Sequence, residues 1–512
     1  MQWLLGLCTF AFIFIYHTYP LELSDFWWHL NTGRWIWEQG AMPVDDPFLF
    51  SSSAPLDARA SLILRGYPLS QLLFFGVYSA AGIYGLLILK SVLMAAFYGL
   101  LWDQLRRSGL HVVLAYTVVA LLPLLFFRFD ELRPQVFSFI FTLLILRLIQ
   151  MILARQWRQV SPPWYVLAML PCGMLLWANL HRGFIIGIGM LMVYLFSEWI
   201  ARKRNNDPLS DTAYRRFWIT ALIAMLVSFL NPVGITATWA SFTEVSGPFS
   251  QVIDEFLGTL RYFEFHGIKQ FGYWIVGLTL SLCLVLAFKW RQLNLAHVLL
   301  LFAFATAGIM SFRFSLLMVA MTVIIASVYF SAQLNRWFSL AQRLPLLAVW
   351  CVAIVILANA ALSRTALATM PLAKQAIPSG PVDYLMQARP NGNLYNPFEY
   401  GGYLSWRLYP QKIFIDQRNL SWDSYEEYSQ AWRGDYAAVF NKYQIGAVIY
   451  PVRDQATGKP SRLVGGLLND PKWAVVYYDG KDMVFANTDI NSQLPILDKR
   501  RVVTSILRNL RG

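Results

Sequence analysis

Charge is what this sequence has least of. Only 14% of its 512 residues are Asp, Glu, Lys or Arg, where a soluble protein carries about 25%. Acids are scarcer than bases, 29 against 42, which leaves a formal net charge of +13. Cysteine is nearly missing as well. Cys8, Cys172, Cys283 and Cys351 each lie inside an apolar run, with no CxxC pair and no metal-ligand spacing. They read as small embedded hydrophobes, not as disulfides or zinc ligands. No P-loop, nucleotide-binding glycine fingerprint, H-E-x-x-H or G-x-S-x-G occurs, which disfavours ATP hydrolysis and serine-hydrolase chemistry. There is no internal repeat of fixed period and no low-complexity segment.

What fills the chain is apolar sequence, 57% of it, in runs near the length a bilayer requires. Spans are expected near 3–20, 80–102, 110–127, 134–153, 164–180, 184–200, 217–235, 272–289, 295–311, 314–331 and 345–362. The stretch 66–79 is apolar too and is expected to lie along the interface. The N-terminus lacks a basic region and a small-x-small cleavage site, so it reads as a retained first span.

The bases sit in short clusters such as Arg106, Arg107, Arg202, Lys203, Arg204, Arg215 and Arg216. That is how cytoplasmic loops look, and it argues against nucleic acid as the partner. Most acids before residue 362 fall in the alternate loops. With the N-terminus inside, an odd span count puts the C-terminal segment outside, in a periplasm-like compartment. The setting expected is a bacterial inner membrane.

After residue 362 the apolar runs shorten. Strands are expected at Gly392–Asn396, Lys412–Asp416 and Ile445–Val452, with helices at Gly402–Tyr409, Asp423–Arg433 and Ala437–Tyr443. A hairpin of Trp473–Tyr478 and Met483–Asn487, turned by Asp479-Gly480, follows a loop rich in Gly, Lys and Pro. The fold class expected is a membrane all-α polytopic bundle of about eleven transmembrane helices with a C-terminal periplasmic α/β domain. The domains are 1–362, with a long first periplasmic loop at 21–66, then 363–490, then a basic tail at 491–512. That tail either lies on an anionic membrane surface as an amphipathic helix or is an ordinary helical end.

The first outer loop joins a carboxylate (Asp25), two tryptophans (Trp27, Trp28) and an imidazole (His29) just beyond the first span. Tryptophans at that depth are an ordinary aromatic belt; an acid and a histidine beside them are less so. The run Asp25-Phe-Trp-Trp-His29, then Gly33-Arg34, then Pro43-Val-Asp-Asp-Pro47, resembles the first outer loop of the GT-C glycosyltransferases. These are polytopic enzymes that use polyprenyl-phosphate sugar donors. The resemblance implies a catalytic aspartate, Asp25, acting as base or metal ligand, with His29 beside it and Arg34 toward substrate.

Glu399-Tyr400-Gly401-Gly402-Tyr403, followed by Ile413-Phe-Ile-Asp416, is similar in layout to the Trp-Trp-Asp-Tyr-Gly acceptor segment of the oligosaccharyltransferases. The tryptophan pair is absent here. By that layout Tyr400 and Asp416 would touch substrate. By the residues alone, the glycines permit a turn into a packed helix.

Glycosyl transfer needs a base for the acceptor proton and positive charge for the departing phosphate. Arginine suits the phosphate because its planar fork donates two parallel hydrogen bonds. The outer turn 127–135 offers Arg128, Asp130, Glu131 and Arg133, either a metal-plus-phosphate site or a self-neutralising ion cluster. A divalent ion, Mg or Mn, held by Asp25, Asp130 and Glu131 is the cofactor considered. The hairpin Trp177-Ala-Asn179-Leu-His181-Arg182-Gly183 adds polar groups that lipid would not tolerate. Asn179 is alternatively a helix cap. Arg313 stands at another hairpin.

The function expected is transfer of a sugar or glycan from a polyprenyl-linked donor to a glycan, protein or lipid acceptor at the outer face, with membrane lipids around it. A lipid-linked-substrate flippase and a non-enzymatic envelope assembly protein are the alternatives.

Overall fold

The computed structural model describes residues 2–18, 20–21, 25–52, 55–126, 131–205, 208–236, 239–240, 253–340, 377–418, 420–454 and 458–511. The chain divides into two compact units, neither continuous in sequence. One is 1–20 with 66–371; the other is 21–65 with 372–512.

The first unit is helical. Helices Gln2–Tyr16, Pro68–Arg107, Val112–Leu125, Gln135–Ile152, Trp164–Leu180, Phe184–Lys203, Asp211–Val227, Lys269–Ala287, Leu295–Met310 and Ser315–Leu340 stand where the first ten spans are expected. The eleventh, 345–362, lies outside the described residues. Among the described residues, five stretches are long and apolar enough to cross a membrane: Ala58–Arg107, Gln135–Ile152, Phe184–Lys203, Lys269–Ala287 and Phe312–Phe338. Four shorter apolar helices accompany them. The stretch 66–79 falls in a helical segment that starts at Pro68 and is parted from the second span by a break at Gly82 (φ 59°, ψ −153°), a conformation open to a residue without Cβ. Three of the described helix starts carry side-chain caps: His111 accepts from Val113 N, Ser210 from Ala213 N and Asn294 from Ala296 N, which satisfies amides the helix cannot.

The second unit is α/β. Strands β1 (Asn393–Tyr395), β2 (Ile445–Pro451), β3 (Trp473–Tyr478) and β4 (Asp482–Asn487) form a four-stranded sheet in the order β1-β2-β4-β3. β1 pairs β2 in parallel; β4 is antiparallel to both β2 and β3. The β3–β4 hairpin turns where expected, with Asp479 Oδ1 accepting from Lys481 N and Asp482 N and Gly480 at φ 98°. β2 is buried along its whole length. A core of Tyr395, Phe414, Phe440, Val448, Val475 and Phe485, among others, lies against the sheet.

Three expectations change. Lys412–Asp416 is not a strand but an extended strap, paired only by the isolated parallel bridge Leu49↔Ile413. Its backbone is satisfied by a side chain: Asn396 Oδ1 accepts from Phe414 N at 3.0 Å, and Asn396 Nδ2 donates to Ile415 O at 2.8 Å. The expected Gly/Lys/Pro loop contains a helix, Arg462–Asn469, capped by Ser461. A further helix, Ser379–Ala388, opens the C-terminal part. The basic tail is helical, Lys499–Arg511. Its apolar side, Val502 and Ile506, packs into the core of this unit.

Residues 21–65 belong to this second unit. Helix Phe26–Gln39 packs on helix Gly401–Arg407. Asn31 Nδ2 donates to Ser405 O at 3.0 Å, and the Trp27 ring meets Tyr403 edge-on at 5.0 Å. A Cβ on Gly402 would stand 3.3 Å from Trp27 Cβ, so the two helices close only over a bare backbone.

Candidate functional site

Polar groups gather in two places, one in each unit. In the helical unit, three inter-helix turns bring side chains together. Ser138, on the first turn of Gln135–Ile152, is buried. Its hydroxyl accepts from Trp177 Nε1 at 2.8 Å and lies 2.6 Å from His181 Nδ1. Gly183 N also donates to His181 Nδ1, at 3.1 Å. An indole N–H and a backbone N–H are donors only. The Ser138 hydrogen therefore points to His181, and Nδ1 is an acceptor. The imidazole is neutral, with its proton on Nε2. Electrostatics agree. Burial, then the Arg182 and Arg313 guanidiniums, hold the His181 pKa well below the usual 6.5. Tyr67 stacks on the His181 ring, 5.5 Å between centroids.

Arg313 comes from the turn Phe312–Phe314. Gln135 Nε2 donates to its carbonyl at 3.2 Å, and its guanidinium lies 4.4 Å over the Phe256 ring. That turn is seated by Phe312 N donating to Leu257 O at 2.8 Å and by Phe312 stacked on Tyr262 at 3.6 Å. The structure thus brings His181, Arg182 and Arg313 into one cationic neighbourhood. Asn179 serves differently. Its Nδ2 donates to Leu175 O and Leu230 O, both at 3.0 Å, and so ties two helix ends. Arg133 pairs with Glu131. Arg128 and Asp130 lie outside the described residues.

In the α/β unit, Asp25 is the residue immediately before helix Phe26–Gln39, and its side chain makes no capping bond to that helix. His29 is buried one turn on, its ring 3.5 Å from Trp28. Arg34 is engaged: Nε reaches Glu38 Oε1 at 2.7 Å, and the guanidinium covers Tyr409 at 4.4 Å. Tyr400 is fully buried and donates to Asp482 Oδ1 at 2.7 Å. Burial raises the Asp482 carboxyl, against Lys481 and this bond. Asp416 is also fully buried, in an ion triad with Arg418 and Asp46.

Among the described residues, no three His, Cys, Asp or Glu side chains stand together in a metal-holding group. Of the expected set Asp25, Asp130 and Glu131, one is not described and Glu131 is taken by Arg133.

Sequence reasoning passed over Ser138, Tyr67 and Arg418. A serine one turn into an apolar helix and a lone tyrosine carry no spacing signal; only the fold brings them to His181.

No family model matches the sequence, and no curated protein sequence matches it. Solved structures do match in fold. The archaeal oligosaccharyltransferase AglB from Archaeoglobus fulgidus, in complex with an inhibitory peptide and a dolichol-phosphate, aligns with a TM-score of 0.57 at 12% identity. That alignment covers 96% of this chain and 75% of the other. The apo form of the Archaeoglobus fulgidus oligosaccharyltransferase aligns at 0.53, also 12% identical, covering 94% and 74%. Both are GT-C glycosyltransferases, and the likeness is one of fold.

Proposed function

We propose that this chain is a GT-C glycosyltransferase that moves a sugar or glycan from a polyprenyl-phosphate or -pyrophosphate carrier to an acceptor. It would work at the outer face of a bacterial inner membrane, with about eleven spans, the N-terminus inside, and the first loop and C-terminal domain outside. The observation that carries the reading is the neutral His181 beside Arg182 and Arg313, set by turns between apolar helices. Two guanidiniums kept beside an uncharged imidazole suit a multiply charged phosphate. A protonated His181 would be a third positive charge in the same place. The oligosaccharyltransferase fold over nearly the whole chain gives that charge a purpose.

In this reading Asp25 takes the proton from the acceptor as the new bond forms at the anomeric carbon. The bond from that carbon to the phosphate oxygen breaks, and the electron pair leaves with the phosphate. In the helical unit, Arg182 and Arg313 suit the charge of a departing phosphate. His181 Nε2–H is the one proton the imidazole has to offer it. Within the α/β unit, His29, Arg34 and Tyr400 support the Asp25 side of the reaction; within the helical unit, Arg133 and Asn179 support the phosphate side.

Purified chain is given a polyprenyl-linked sugar donor, and product is counted beside Asp25→Asn. General-base loss costs about 10²–10⁴-fold. Transfer undiminished in the variant removes Asp25 from the mechanism. Chelation followed by Mg or Mn re-addition separates the two roles of Asp25: recovery on re-addition marks a metal ligand, and indifference marks a base.

A further inference from the structure

We infer that the buried triad Asp46–Arg418–Asp416 is the positioning device that holds the Asp25-bearing loop in register on the C-terminal α/β domain. Asp416 serves there and not as a contact to substrate. The inference rests on Asp25 being the reacting acid.

The three side chains are 0–1% exposed. Arg418 uses its whole fork. Nε donates to Asp416 at 2.8 and 3.0 Å, Nη2 reaches Asp416 Oδ2 at 2.7 Å, and Nη1 and Nη2 reach the two oxygens of Asp46 at 3.2 and 3.1 Å. The Phe48 ring covers the guanidinium at 5.2 Å. Each carboxylate also closes its own turn: Asp46 Oδ1 accepts from Phe48 N at 2.9 Å, and Asp416 Oδ1 from Arg418 N at 3.0 Å. One guanidinium therefore locks two local turns to each other.

The turns it joins come from opposite ends of the chain. Around them the backbones exchange bonds, Ile413 N to Phe48 O at 2.9 Å and Phe50 N to Ile413 O at 3.1 Å. Lys412 Nζ donates to Asp46 O, and Ser424 Oγ to Ser51 O. Helix Phe26–Gln39 ends only a few residues upstream, at Gly40 with φ 63°. A slip of the loop along the strap would be passed directly to the helix that begins beside Asp25.

Stability does not explain such a group. Buried ion networks are commonly no more stabilising than apolar residues of the same volume, and their best-attested use is to fix a register. Two carboxyl groups converge on one guanidinium in the interior, where burial raises the Asp46 carboxyl, an arrangement a merely stabilising design would avoid.

The test uses the full chain in lipid nanodiscs. Arg418→Lys keeps the charge and loses the fork. A neutral triple variant, Asp46→Asn, Arg418→Met and Asp416→Asn, removes the register device without burying an unpaired charge. Hydrogen exchange is followed at 26–33 and 43–51, with β2 as internal reference, and kcat and KM are measured for sugar transfer. Both variants should speed exchange at 43–51 at least tenfold with β2 within twofold. They should lower kcat at least tenfold with KM within threefold. Wild-type exchange at 43–51 in the triple variant overturns the inference, as does unchanged kcat when exchange has risen. If Arg418→Lys loosens β2 as well, the triple variant alone decides. If the wild type transfers no sugar, the proposed function falls, while the exchange arm still decides whether the triad holds the loop.

Discussion

A methyl group at Gly401 should open the α/β unit. Gly401 begins the helix that receives the first loop, with helical angles of φ −55° and ψ −45°, so alanine would suit its backbone. Space is the obstacle. An added Cβ would stand against Ile415 O, 2.5 Å from Asp416 Cα and 2.6 Å from Asp416 Cβ. These are main-chain atoms and the stem of a triad residue, and none can turn aside as a flexible side-chain end could. Overpacking costs about 1–3 kcal/mol, and immovable neighbours place Gly401→Ala near ~3 kcal/mol. That is about a hundredfold in the unfolding equilibrium. The control is Gly465→Ala, inside helix Arg462–Asn469, where a Cβ meets nothing within 4 Å. There the lower backbone entropy of alanine should add about 0.5–1 kcal/mol. Because the chain has two units, a single melting curve would mix them. Amide exchange at β2, which opens with its own unit, reads the effect locally: about a hundredfold faster in Gly401→Ala, and a few-fold slower in Gly465→Ala. Equal exchange in the two variants would refute the packing argument.

Further expectations concern both units. Gly183→Ala drives a Cβ into Ser138 Oγ and to 3.0 Å from His181 Nδ1, so it should reduce transfer without loss of fold, checked by activity beside amide exchange in helix Trp164–Leu180. Arg313→Ala should slow transfer by roughly 10²-fold, the order seen when one charge-stabilising donor is removed; a loss under twofold by steady-state assay contradicts the phosphate role. The depressed His181 pKa makes the folded state bind fewer protons than the unfolded one. The stability this group confers is therefore present above pH ~6.5 and is lost as pH falls below it. Amide exchange in helix Trp164–Leu180 at pH 7.5 and 5.5, corrected for the intrinsic pH dependence of exchange, should show that slope in wild type and a flatter one in His181→Gln. Asp46 has its carboxyl raised by burial against the pull of Arg418, so Asp46→Asn should be the mildest single change in the triad. Arg418→Met, which strands two buried carboxylates, should cost about 3–5 kcal/mol, measured by exchange at β2.

The sequence made the spans legible because apolar length is a strong signal. Trp164–Leu180 begins and ends where its Pro162-Pro163 and His181-Arg182 flanks imply. The β3–β4 hairpin was equally plain from Asp479-Gly480. The strap Lys412–Asp416 was misread because Ile413, Phe414 and Ile415 look like a strand, and nothing local reveals that Asn396 replaces the neighbouring chain. Helix Arg462–Asn469 was hidden by Gly465-Gly466, which lower helix propensity by about 1 kcal/mol each. At the site, Asp25, His181 and Arg313 announced themselves as polar groups at membrane edges. Ser138 and Arg418 did not, since their roles depend on partners 43 and 372 residues away.

The second unit is assembled from both ends of the chain, and that imposes a schedule on biosynthesis. Asn31 meets Ser405 across 374 residues. At ~5–20 residues per second, Phe26, Trp27 and Trp28 wait about 20–75 s for the surface that will shelter them. Through that interval a newborn molecule exposes a greasy aromatic segment with no fixed companion. A truncated product ending before residue 372 would never hide it, and quality-control proteases would find their cleavage target there.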